Sequence, residues 1–287
     1  MKRIFPTYSA DWLKPLRKWF VRWPVVPAIA AAWIVFVALA ALATPWLSPF
    51  DPNYGSIMDG SLSPSWKHWL GTDQQGRDIA TRLLTGAGPT LIGALLCTLL
   101  AAAIGALNGL AAGLNGRWTD RISTTVWDII MAIPGLILAL VLVTVLGRNI
   151  YTASLALAIV NVPVMGRLVR AEAKVLRRTP YVEAALLAGA SNRFIIWKHL
   201  LPGIIPVVFA RSSLTFGYAI LDLSALSYLG VGVQPPAADW GAMLAQGRHT
   251  LLVSPLGTIC AGLAITLTAL SFQFIGDEIQ RRWSPKR

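Results

Sequence analysis

From residue 25 onward the chain alternates between long apolar runs and short polar or basic stretches. Val25–Phe50 carries no charged residue and exceeds the about 20 residues a helix needs to cross hydrocarbon. Leu83–Gly116 is also uncharged, and Ile122–Leu146 is interrupted only by Asp128 and Pro134. Ile150–Met165, Ile204–Leu229 and Thr250–Gly276 complete the series. The pattern predicts an all-α polytopic membrane protein with six transmembrane helices. It divides the chain into a basic N-terminal segment (1–24), a first helix with its polar loop (25–82), a core of five helices (83–276) and a tail (277–287).

The finer pattern adds local expectations. The basic start before Val25 has the look of a signal peptide, but no small-residue cleavage site ends a short apolar core, so the first helix is read as retained. Trp23 and Trp46 flank it as interfacial anchors would, and Trp127 and Trp240 are read in the same way. Within the polar loop, the residues from Asp78 onward suit an amphipathic helix at the interface. Ile79, Leu83 and Leu84 would lie on one side, Arg77 and Arg82 on another, and Thr72 or Asp73 would be the cap. Gly105, Gly109 and Gly113 recur every four residues, a stripe that lets helices approach closely.

Charge orients this arrangement. Only 13% of the 287 residues are charged, against roughly 25% in soluble domains. The net charge of +12 sits in blocks between apolar runs rather than along soluble helices, which argues for membrane topology and against a nucleic-acid surface. With both termini in the cytoplasm, nineteen Lys and Arg fall on the cytoplasmic side and five outside. The inverted arrangement would violate the positive-inside rule. Cys97 and Cys260 fall within apolar runs and read as small hydrophobic residues, and the three histidines are too dispersed for a metal site. The chain contains no phosphate-binding G-x-x-x-x-G-K-[ST] loop, so no cofactor is expected on it.

The most informative stretch is Tyr181–Pro202, between the fourth and fifth spans. Thr179-Pro180 marks a helix start, and Ala184–Ala188 propagates that helix. Gly189 permits a sharp turn, and Asn192–Leu201 would form a second short helix ended by Pro202. An alternative is a basic amphipathic helix resting on headgroups, but that reading does not ask for glycine at the bend.

Glu183-Ala184-Ala185, three residues, Gly189 and the later Leu201-Pro202 resemble the EAA loop of ABC-transporter permease subunits. Gly71-Thr72-Asp73 with Gly76-Arg77-Asp78 resembles the dipeptide, oligopeptide and nickel branch, as do Gly230, Gly232, Gln234-Pro235-Pro236 and Trp240-Gly241. His199 replaces the general family's aliphatic residue and fits the peptide branch, whereas Gly203 departs from that branch's frequent Asn. The resemblance implies a multi-pass protein of the bacterial inner membrane, without ATPase activity of its own. It also implies a homologous permease partner, two ATP-binding subunits carrying ATP and Mg, and an extracytoplasmic solute-binding protein. Glu183, Ala184, Ala185, Gly189, Ala190, Ser191, Asn192 and Arg193 would then couple to the ATPase. Gln234, Pro235 and Trp240 would lie in an external loop facing the binding protein or capping the pathway.

Acids within spans are costly and mark cavities or partners. Asp222 is therefore a candidate for the translocation pathway, where it would suit a cationic group; a buried acid bonded for packing alone is an equal reading. Asp128 is a second candidate for the pathway; it and Arg211 lie nearer the cytoplasmic ends of their spans, where they could snorkel, the favoured reading for Arg211. Three solute readings follow: di- or oligopeptide import, the same architecture moving nickel chelates or polyamines or working as an exporter, and an ion-coupled carrier using Asp222 and Asp128. Internal inverted repeats would favour the last, and none is clear.

Overall fold

A computed structural model describes residues 24–114, 117–248, 250–252 and 254–283. The basic segment before residue 24, with Trp23, lies outside the described residues, as do His249 and the last four residues of the tail. Helices account for the architecture: α1 Val25–Leu47, α2 Ile79–Leu114, α3 Arg117–Met131, α4 Gly135–Leu146, α5 Ile150–Arg177, α6 Pro180–Leu187, α7 Asn192–Ile195, α8 Leu201–Tyr228, α9 Trp240–Gly247 and α10 Leu256–Trp283. Five helical stretches are long and apolar enough to cross a bilayer, and the bent pair α3–α4 supplies a sixth crossing if taken as one span. Ile29, Phe36, Leu39 and Leu42 of α1 face outward. Hydrocarbon covers an uncharged apolar surface of that kind, while the helix satisfies its own backbone.

The glycine stripe sets the closest helix pairing. A Cβ on Gly105 would meet Met165 Cβ at 2.6 Å, one on Gly109 the Gly166 carbonyl oxygen at 2.6 Å, and one on Gly113 Ala173 Cβ at 2.9 Å. Numbers rise together along both helices, so α2 and α5 run parallel with their backbones almost touching. Gly203 meets Leu176 at one end of α8 and Leu223 meets Gly93 at the other, so α8 runs opposite to both. Trp33 Nε1 donates to Thr268 Oγ1 at 3.1 Å and ties α1 to α10. The main core gathers Ala94, Cys97, Leu157, Ile220, Leu223 and Ile265; a second, around Met165, Val169, Leu200 and Ile204, lies beneath α6 and α7.

Four local expectations need correction. The third span is not one rod: α3 and α4 meet at 89°. Pro134 has no N–H to continue the ladder and disfavours helix in the residue before it. At 12 residues α4 is about 18 Å long, short of a full crossing. The interfacial helix from Asp78 is instead the first turns of α2, and Arg77 and Arg82 are buried, at 3% and 1% exposure. Its cap is Asp78, whose Oδ2 accepts from Thr81 N at 2.7 Å, rather than Thr72 or Asp73. Pro202 does not end a helix: a π-turn at Ile196–Leu200 joins α7 to α8, with Leu201 N–H donating to the Ile196 carbonyl. The widened turn absorbs the hydrogen bond that proline cannot make. Trp127 and Trp240 are buried rather than facing headgroups; Trp127 fills the space above Gly166.

Candidate functional site

The turn between α6 and α7 protrudes from the end of the bundle where α5 finishes and α8 begins. α6 starts after Thr179, whose carbonyl accepts from Val182 and Glu183 N–H at 3.0 Å. Glu183 lies in the first turn, exposed, where a carboxylate complements the helix dipole. The helix closes with Ala188 N–H donating to the Ala184 carbonyl and Ala190 N–H to the Ala185 carbonyl, both at 3.0 Å. Gly189 sits between them at φ +81°, as this closing motif requires. Ser191 Oγ then accepts from Phe194 N–H at 3.3 Å and caps α7.

This elbow is rigid at its base and bare at its tip. Val182 and Ile195 are buried in the second core, with Ala190 packed against it. Glu183, Ala184, Ala188, Gly189 and Ser191 are exposed, and nothing lies within 4 Å of a Cβ placed on Gly189. Leu187 is 90% exposed. Asn192 and Arg193 open α7; their side chains lie outside the described residues. His199 is wedged between the rings of Tyr181 and Phe194, each centroid 5.7 Å away, and Lys198 Nζ sits 5.3 Å over Phe194.

Much of the adjacent basic charge is already matched. Arg170 and Lys174 of α5 both bond Asp120 of α3, the latter at 2.6 Å, and Arg167 pairs with Asp128. Arg177 donates to the Leu114 carbonyl at 3.0 Å. These contacts brace α3 and the end of α2 against α5. Asp128 is thus exposed and ion-paired. Asp222 is half-buried in α8, far along the chain from Asp128, with no hydrogen bond or ion pair found among the described residues. Arg211 is half-buried, with Nε lacking a partner.

The opposite end is a polar clasp that patterning did not reveal. Asp239 caps α9, accepting from Ala242 N–H at 3.1 Å and from Thr90 Oγ1 of α2 at 2.7 Å. Burial pushes its carboxyl up, while hydrogen bonds from Thr90, Ser227 and two backbone N–H groups oppose that shift. Trp240 Nε1 donates to the Leu83 carbonyl at 2.8 Å. Arg82 donates to the Pro52 and Pro236 carbonyls and to Gln246 Oε1. His68 Nδ1 lies 2.9 Å from Asp78 Oδ1 beneath the ring of Phe50. Gln234 and Pro235 are exposed on the covering loop, with Gln234 Nε2 turned back onto the Gly232 carbonyl at 3.0 Å. Asp before Trp240-Gly241 was a readable helix cap; nothing marked Gln246 as the partner of two arginines.

Residues 105–286 match the family described as binding-protein-dependent transport system inner membrane component. The chain is 37% identical over 268 residues to a probable D,D-dipeptide transport system permease protein, DdpC, of Escherichia coli (strain K12), covering 93% of this chain and 90% of that one. It is 37% identical over 258 residues to the glutathione transport system permease protein GsiD of Escherichia coli O1:K1 / APEC, covering 90% and 85%. Among solved structures, an inward-facing MetNI methionine ABC transporter superposes with a TM-score of 0.57 at 20% identity, over 71% of this chain and 96% of that one. That likeness shows the fold. The helical bundle, the family match over most of its length and these relatives agree: the chain belongs to the binding-protein-dependent ABC permease family, as a membrane-embedded transport subunit that is not itself an enzyme.

Proposed function

We propose that this subunit forms half of a permease pathway for small peptides and takes its driving motion through the elbow. The observation that carries the coupling role is the exposure of Ala184, Leu187, Ala188, Gly189 and Ser191, with open space around Gly189 above a base fixed by Val182 and Ile195. A partner surface can approach small residues closely, and a buried base transmits the push rather than yielding to it. Two ATP-binding subunits would hydrolyse ATP with Mg and grip this elbow and its counterpart on a homologous permease partner. The excess of Lys and Arg supports a cytoplasmic elbow and cytoplasmic termini. An extracytoplasmic binding protein would deliver solute at the Asp239–Gln246 end, where Gln234 and Pro235 are exposed.

The relatives named for a D,D-dipeptide and for glutathione support a short peptide as solute. Their binding-protein-dependent family favours ATP-driven import over export or an ion-coupled carrier. Asp222 is the pathway acid of this proposal, available to a peptide ammonium; Asp128, paired with Arg167, belongs to the brace beside the elbow.

The test is the four-subunit complex in proteoliposomes supplied with its binding protein, with Leu187→Arg and Gly189→Arg made separately. Each should cut ATP-driven peptide uptake at least about tenfold; Leu187→Arg should do so without lowering the thermal unfolding midpoint of the isolated permease, whereas Gly189→Arg, strained at φ +81°, should also lower that midpoint. Uptake and ATPase coupling at the unaltered level would overturn the coupling role.

A further inference from the structure

Between the start of α2, α9 and the start of α10 lies a cleft of about 230 Å³. Its floor is the Arg77–Arg82 pair. Arg77 Nε donates to Asp73 Oδ2 at 2.7 Å, and a terminal nitrogen donates to Gln246 Oε1 at 2.8 Å. Arg82 shares Gln246, and its Nε is 3.7 Å from the same Asp73 oxygen. Asp73 is the single carboxylate among the described residues lining the cleft. Two nearly fully buried guanidinium groups therefore share one carboxylate. Asp78, the next acid, is occupied by His68 and Thr81.

A fold clasp alone would be better balanced with a second acid or with one arginine fewer, because a surplus buried charge is costly. The surplus borders an opening rather than packed protein. Thr258 Oγ1, also on the cleft wall, is buried with no hydrogen-bond partner, and Ser254 lies beside the opening. A guanidinium pair at an opening matches the needs of a carboxylate, which accepts several charge-assisted hydrogen bonds at once. We propose that this cleft is a carboxylate-binding subsite that receives the C-terminal carboxylate of a peptide at the entrance of the pathway. The peptide part of that assignment rests on the proposed function; the carboxylate part rests on the cleft.

The test uses the assembled transporter without its binding protein, carrying Ser254→Cys in a Cys97→Ala, Cys260→Ala background. The rate of labelling by a charged maleimide reports occupancy. Dialanine should slow labelling about tenfold, and dialanine amide should leave it unchanged. Gln75→Glu, at the exposed rim and outside the arginine clasp, should weaken protection by adding a like charge; Arg77→Gln should abolish it, with the thermal midpoint as the control for folding. Equal protection by acid and amide, protection by neither, or protection only when the binding protein is added would each overturn the subsite. Peptide uptake by the unaltered transporter is measured in parallel. Uptake without acid-selective protection sinks the cleft alone. Acid-selective protection without peptide uptake sustains the carboxylate site and sinks the peptide solute.

Discussion

At the elbow, Ala184, Ala188 and Gly189 leave the backbone open, and the backbone hydrogen bonds that shape the turn come from within about five residues of sequence. At the other end, Arg82 reaches Pro52, Pro236 and Gln246, and Trp240 reaches Leu83, across 30 to 164 residues of chain. One end offers surface and holds its form by local rules. The other spends its polar groups on each other and joins segments that start far apart. Under the proposed function the difference fits two demands: a knob would present itself to another protein, whereas an entrance would stay assembled while the helices beneath it move.

That contrast can be broken by substitution. The largest loss of stability is expected from Arg82→Ala, which strands the Pro52 and Pro236 carbonyls in the clasp and leaves Gln246 and Asp73 with Arg77 alone. About 3 kcal/mol should be lost, read as a lowered unfolding midpoint in detergent. Gly109→Leu forces a side chain into the Gly166 backbone and should cost about 2 kcal/mol by the same measurement, parting α2 from α5 along the path between the two ends. Trp240→Phe loses the bond to the Leu83 carbonyl and leaves a cavity where the larger indole packed, and about 2 kcal/mol is expected. Leu187→Ala, at the bare tip, should leave stability within about 0.5 kcal/mol while reducing coupled ATPase activity of the assembled transporter. A tip substitution that destabilised as much as Arg82→Ala would erase the distinction between the two ends.

The glycine stripe joins the two regions. Its spacing was readable because helical period and residue size are local properties, and the lack of room for a Cβ at Gly105 and Gly109 bears out the close packing it predicts. The partner helix was not readable: α5 could be told from α8 only by the fold.

Legible in the amino-acid order alone were the apolar runs, their helical state, the charge bias between their ends and the elbow's start and turn. Each follows from transfer of side chains out of water or from backbone preferences within a few residues, as at Pro180 and Gly189. Tertiary structure alone decided the 89° break at Pro134, the π-turn that carries α7 past Pro202, and the burial of Arg77, Arg82, Trp127 and Trp240. An arginine beside an apolar run looks the same in sequence whether it faces water or a distant carboxylate. Its place depends on whether a partner such as Asp73 or Gln246 arrives from elsewhere in the chain, and desolvation makes that arrival decisive.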